Sequence, residues 1–279
     1  MLVAGLLFAC MGVLVKYGSS HFSASELVFY RSFFGLLIVY AMLHRAKVVL
    51  ATRHWRSHLW RGLSGTVAMM LFFYCIGTLP LATAITLNYT SSLFLSALTL
   101  LVLKEAFHAP LSSALAVGFA GVVLLLHPTF EHDRLLDGLL GLLSGLLAAV
   151  ALLNVRQLGA LGEPGMRVVF YFNLIATLAS GAWMLQDQLH AISLNDLPLL
   201  VGIGAAATFA QLALTRAHRT GQALVVGSLA YSTIVFSALF GLLFWHELLS
   251  LSAWLGIALI IASGMLSLRL APTNAGAIK

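Results

Sequence analysis

Charge is what this chain has least of. Asp, Glu, Lys and Arg make up 9% of its 279 residues, where an ordinary soluble domain carries roughly a quarter, so a water-soluble globule is excluded. Cysteine is nearly absent as well. Cys10 and Cys75 both lie in apolar runs, which excludes a disulfide framework and leaves the redox compartment undefined. No basic segment precedes the first apolar run: Met1 passes straight into Leu2, Val3 and Ala4, with no small-residue cleavage site beyond. That run reads as a retained membrane span rather than a signal peptide. Nor does any glycine-rich stretch follow a strand, so no phosphate loop or dinucleotide fingerprint stands.

What is present is hydrophobic length: 61% of the residues are apolar. Runs bounded by Pro, Gly or charge give ten helices near 1–18, 25–43, 59–77, 82–103, 109–126, 138–155, 165–185, 197–216, 222–245 and 250–270, each near the roughly 20 residues a span requires. The runs are continuous rather than alternating, which excludes a β-barrel. The expected fold is an all-α polytopic membrane protein whose short loops leave no room for a soluble domain. The excess of 15 Lys and Arg over 9 Asp and Glu points to loops facing anionic lipid, not to nucleic acid. With the N-terminus inside, twelve cations fall on inner loops and tails: Arg45, Lys47, Arg53, Arg56, Arg61, Lys104, Arg156, Arg167, Arg216, Arg219, Arg269 and Lys279. Two, Lys16 and Arg134, fall outside, where Glu131, Asp133, Asp137, Asp187 and Asp196 also lie. This bias predicts both termini in the cytoplasm, with the bacterial inner membrane as the expected location.

The second half repeats the first. Ala4-Gly5 and Lys16 match Ser144-Gly145 and Arg156, and Phe29-Tyr30 match Phe170-Tyr171. Leu87, Tyr89, Phe94 and Glu105 match Leu229, Tyr231, Phe236 and Glu247, and Gly121 matches Gly264. Five spans per repeat is an odd number, so the halves, 1–127 and 138–270, enter the membrane from opposite sides. Such inverted repeats are an architecture of secondary transporters, with the substrate site between the halves near the midplane.

Arg61-Gly62, Ala68-Met69-Met70-Leu71, the stretch from Leu87 to Phe94, Leu103-Lys104-Glu105 and the stretch from Gly121 to Pro128 resemble the EamA module of the drug/metabolite transporter superfamily. The Arg-Gly to Ala-Met-Met-Leu run is similar to the solute carrier 35 subgroup G and its bacterial relatives. The resemblance covers nearly the whole chain and implies movement of a small metabolite, with carboxylate carriers in the nearer branch; the matched halves and short loops point to alternating access. One departure stands out. A proline is common midway along spans 4 and 9 in this family, but Ser92 and Ile234 occupy those positions, which leaves a helix break there open.

Arg31 is the leading candidate for substrate contact. It lies six residues into span 2, roughly 9 Å along the helix, and a guanidinium at that depth needs a partner, a wet cavity or a route to the interface. Its fork suits a carboxylate or phosphate; the competing reading is an Arg that snorkels to headgroups or braces neighbouring helices. Glu26 is badly placed to pair with it, and Lys16 is the expected partner of Glu26. Tyr89, Tyr231, Gln211, Asn88, Tyr30 and Tyr74 are the accompanying candidates, with Tyr89 and Tyr231 foremost because they occupy equivalent repeat positions. Hydroxyls and amides in such helices more often bond neighbouring helices or their own backbone. Lys104-Glu105 and His246-Glu247 read as helix-end anchors. No carboxylate is mid-span and all ten histidines fall at run ends or in loops, which favours exchange or facilitated transport over proton coupling.

His54 and His58 have the spacing of two metal ligands but no third, and read as a wet helix start. No metal and no cofactor is expected. The partners expected are a small-molecule substrate and membrane lipid, with the oligomeric state open. A carboxylate-bearing anion or zwitterion is the leading cargo, and a lipid or lipid-linked sugar flippase the alternative. A remote alternative, an intramembrane serine protease, rests on Ser64 in a Gly-Leu-Ser-Gly run and His218 in an Ala-His-Arg-Thr-Gly run.

Overall fold

The computed structural model describes residues 1–102, 113, 116–118, 120–125, 134–185, 190–220 and 229–270. All regular structure among them is helical: α1 (Leu2–Gly18), α2 (Ala24–Arg45), α3 (Trp55–Thr78), α4 (Leu81–Tyr89), α5 (Ser91–Val102), α6 (Leu135–Ala160), α7 (Gly165–Met184), α8 (Leu197–Thr220), α9 (Ser232–Trp245) and α10 (Leu251–Leu270). A further short apolar helix covers Ala116–Leu125. The protein is therefore an all-helical polytopic membrane protein. Of the expected spans, five are long and apolar enough to cross a membrane as described: α2, α3, α6, α7 and the Leu197–Leu214 portion of α8. The first part of span 5, residues 222–228 of span 9, the Lys104-Glu105 pair, Asp187 and Lys279 lie outside the described residues.

Local chemistry sets the helix ends. Ser23 caps α2 in a capping box: its hydroxyl accepts from the Glu26 backbone N–H, and the Glu26 carboxylate accepts from the Ser23 N–H. Pro80 and Pro164 precede α4 and α7, where a missing N–H costs nothing. Gly162 takes φ +77° in the α6–α7 turn, a conformation that favours glycine.

The expected span over 82–103 is two helices, α4 and α5, which meet at Thr90 without a proline. Hydroxyl bonds mark the break. Thr90 Oγ1 donates to the Leu87 carbonyl at 2.6 Å and Ser92 Oγ to that of Tyr89 at 3.0 Å, so side chains compete with the i−4 ladder. The equivalent place in the other half behaves alike: α9 begins at Ser232, and Ser232 and Thr233 donate to the Leu229 and Ala230 carbonyls.

Glycines bring the helices together at both places. A Cβ on Gly145 of α6 would lie 2.5 Å from Thr90 Oγ1, and one on Gly5 of α1 would lie 2.7 Å from Ser232 Oγ. The helix pairs repeat this exchange. Helix α1 packs on α8 and α9, α6 packs on α3 and α5, α2 packs on α7 and α8, and α3 packs on α7. Interchanging α1 with α6, α2 with α7, α3 with α8 and α5 with α9 maps this set onto itself.

Candidate functional site

Arg31 projects from α2 into the interior and is 5% exposed. Its Nη1 donates to Asn173 Oδ1 of α7 at 3.1 Å, while its Nε is buried without a partner. Gly35 allows the approach, since a Cβ there would lie 3.2 Å from the Asn173 amide. From sequence alone Arg31 stands alone at depth and Arg61 belongs with the interfacial cations; the structure corrects both. Arg61 Cζ lies 4.1 Å from the centroid of the Phe172 ring and Arg31 Cζ 5.4 Å from the same centroid. Arg61 is half-buried as a residue, but its Nε and Nη1 are enclosed and unpartnered. Its side chain runs along α3 over Gly65, where any Cβ would overlap Nη1. Gly65 lies farther into α3 than Arg61, so the guanidinium points along the helix away from its nearer end rather than snorkelling towards it.

No carboxylate among the described residues pairs with either arginine. The ion pairs found there are Lys16 with Glu247, His58 and Arg167 with Glu163, and His190 with Glu26. The face of a phenyl ring attracts cations but carries no net charge. Two guanidiniums with unmet donors beside a neutral amide form a cluster whose chemistry is that of an anion receptor.

A second polar cluster lies where the two helix breaks meet. Tyr89 and Thr233 share a hydrogen bond at 2.8 Å, Tyr231 and Ser92 one at 2.7 Å, and the two rings stand 6.1 Å apart. Each tyrosine hydroxyl thus bonds across the two halves. The Tyr231 hydroxyl is seated against Gly264, where no Cβ fits. The remaining candidates are dispersed. Asn88 Nδ2 approaches Ser144 Oγ at 3.4 Å. Tyr74 donates to Asp137 at 3.1 Å near the exposed end of α3. Tyr30 stacks edge-on to Phe22 and Phe29, and Gln211 is half-buried on α8. Ser64 donates to the Trp60 carbonyl of its own helix, and the His218 side chain lies outside the described residues.

Ties between the halves sit at both ends of the bundle, with partners the sequence reading did not anticipate. Lys16 pairs with Glu247, not Glu26, and also donates to the Leu79 carbonyl at 2.7 Å. The other Glu247 oxygen accepts from the Leu81 N–H at 2.8 Å. Glu247 is therefore a cross-link rather than only a helix-end anchor, aimed inward by His246 in a left-handed conformation, φ 52° and ψ 34°. Glu26 instead accepts from His190 N–H and lies 2.9 Å from its Nδ1.

At the opposite end Glu163 accepts from Thr52 and Arg167, with His58 Nε2 3.4 Å away. His58 is buried, so it is no wet helix start. Burial alone would push the Glu163 carboxyl up, but the hydrogen bonds from Thr52 and Arg167 and the Arg167 charge hold it below the usual carboxylate range.

Comparison with known proteins adds the family. The model of the EamA-like transporter family matches residues 1–127 and again 137–269. The pseudopaline exporter of Pseudomonas aeruginosa is 33% identical over 95% of this chain and 90% of its own length. Human solute carrier family 35 member G1 is 25% identical over 88% of this chain and 71% of its own. A solved crystal structure superposes at TM-score 0.69 with 18% identity, over 98% of each chain, and so shares the fold. A family match running the length of a chain built from apolar helices leaves one assignment: the chain belongs to the EamA-like transporter family, and it is a small-molecule transporter of the membrane, not an enzyme.

Proposed function

We propose that the protein is a secondary transporter that moves a small carboxylate-bearing metabolite, an anion or a zwitterion, by alternating access between two inverted five-helix repeats. The observation that carries the cargo assignment is the enclosed Arg31, held by the neutral Asn173 with its Nε donor unmet. A cation in such surroundings disfavours a second cation and favours an anion. The repeat reading is supported by the pairs that α1, α2, α3 and α5 make with α6, α7, α8 and α9, which exchange when the halves are interchanged, and by the reciprocal seating of Gly5 and Gly145 on the two helix breaks. Both termini then face the cytoplasm, and rocking of one half on the other opens each mouth in turn by exchange or facilitated flow.

Counterflow in proteoliposomes tests the cargo. Arg31→Ala should lose roughly 2 to 5 kcal/mol of binding if the ion pair is desolvated, and Arg31→Lys less, because it keeps the charge but not the fork. Unchanged affinity in Arg31→Ala, or a permanent cation as the best ligand, would remove Arg31 from the site.

One observation favours movement of a lipid or lipid-linked sugar instead. A groove of about 430 Å³ between α2, α3, α6 and α7 is lined by Leu63, Val67, Met70, Leu140 and Trp183, and is almost wholly apolar. Spin-labelled lipid crossing the bilayer in proteoliposomes, blocked by Val67→Trp, would decide for this second reading.

A further inference from the structure

We propose that the site takes an organic dianion, one anionic group on Arg31 and the other on Arg61, so that a ligand with two carboxylates is preferred over one with a single carboxylate. This rests on the carboxylate reading above and goes beyond it, since Arg31 alone asks for one negative charge.

Three observations carry it. The guanidinium carbons lie 5.4 Å and 4.1 Å from one and the same ring centroid, that of Phe172, so they are at most 9.5 Å from each other. Arg31 Nε, Arg61 Nε and Arg61 Nη1 are enclosed donors without acceptors. Finally, among the described residues every carboxylate in an ion pair is engaged elsewhere.

An arginine kept for helix bracing ends on acceptors that use its fork, because an orphaned charged donor in an enclosed site is costly. Two such arginines sharing one ring leave two positive charges for something outside the chain to neutralise. A monoanion leaves half of that charge, and a zwitterion brings a cation into it. A dianion answers both guanidiniums with charge-assisted hydrogen bonds. The Gly65 notch lets Arg61 reach along α3 to Phe172, and the neutral Asn173 orients Arg31 without consuming its charge.

The test uses the purified full chain in detergent and α,ω-dicarboxylates from succinate to suberate, each beside the monocarboxylate of equal carbon number. Affinity is read by isothermal calorimetry and by thermal shift. In the wild type at least one dicarboxylate should bind tenfold or more tightly than its monocarboxylate, with an optimum in chain length that reports the separation of the two guanidiniums. Arg61→Gln should abolish that preference, lowering dicarboxylate affinity about tenfold or more and monocarboxylate affinity by much less. Arg61→Lys should restore part of it. The ligand-free melting temperature of Arg61→Gln should equal or exceed that of the wild type, because a binding cation without a counter-ion destabilises the empty protein; a bracing arginine would give the opposite sign.

Monocarboxylates that bind as tightly as dicarboxylates and depend on Arg31 alone would overturn the dianion and leave the carboxylate reading intact. Binding of neither series would overturn both.

Discussion

At the residue scale the molecule is organised by where a Cβ is missing. Gly264 faces the Tyr231 hydroxyl so closely that any side chain must drive the phenol off Ser92. Gly264→Ala is expected to lower stability by about 1 to 3 kcal/mol, the usual cost of overpacking a well-filled interior. Gly159 is the matched control: it lies in α6 with nothing within 4 Å of a built Cβ, so Gly159→Ala should stabilise by roughly 0.5 to 1 kcal/mol through helix propensity. Thermal unfolding of the two variants reads the contrast, and a shift of the same sign in both would contradict it.

The same scale separates what sequence displays from what it conceals. Arg31 is visible as a charge inside an apolar run. Arg61 is not, because it follows Arg53 and Arg56 at a helix start and looks like one more interfacial cation. Its enclosure depends on Phe172, which is remote in sequence, and on a notch that matters only once α7 is packed alongside. Tyr89 and Tyr231 stand out in the sequence because repeat positions are readable, but their partners Thr233 and Ser92 follow from the contact between halves.

At the element scale, the helical class and the places of the helices are legible because an apolar run must satisfy its own backbone in lipid. The break at Thr90 is less so, since hydroxyl back-bonding leaves a weaker mark than proline. Charges in the loops tie neighbouring elements together. Arg167 donates to the Val49 carbonyl at 2.9 Å and 2.6 Å, Tyr171 donates to the Leu50 carbonyl at 2.9 Å, and Thr52 and Arg167 meet on Glu163. The α2–α3 loop is thereby fastened to the start of α7.

A carboxyl whose folded-state pKa is depressed contributes stability above its unfolded value and loses it as pH falls through the folded one. Glu163 is such a group. Glu163→Gln should therefore melt below the wild type at neutral pH, and the gap should close as the pH drops beneath the ordinary carboxylate range. Melting curves collected across that range test the sign. A gap that widened on acidification would show that the carboxylate is not what holds the loop.

At the scale of the whole molecule, each tie between helix ends joins segments that a strictly alternating chain brings to the same side: Lys16 with Leu79 and Glu247, Glu26 with His190, and Thr52 with Glu163. In the topology proposed above, the Lys16 pair closes the outer mouth. It lies between α1, the α3–α4 turn and the end of α9, elements of both halves, and rocking those halves apart requires it to break. Glu247→Gln removes the charge while keeping the shape, leaving Lys16 with the Leu79 carbonyl alone. Leu79 is 1% exposed, so in a background with Cys10 and Cys75 replaced by Ser, Leu79→Cys should resist a membrane-impermeant maleimide. Adding Glu247→Gln should raise its labelling from the outer side several-fold. Ala51→Cys, on the α2–α3 loop, should react only when the reagent reaches the inner side. Lys16→Met should reproduce the effect of Glu247→Gln and add little to it, since two members of one ion pair are not independent. Labelling of Leu79→Cys that ignores Glu247→Gln would make the pair a static brace, and labelling of Leu79→Cys and Ala51→Cys from one side would overturn the topology on which the two-mouth cycle depends.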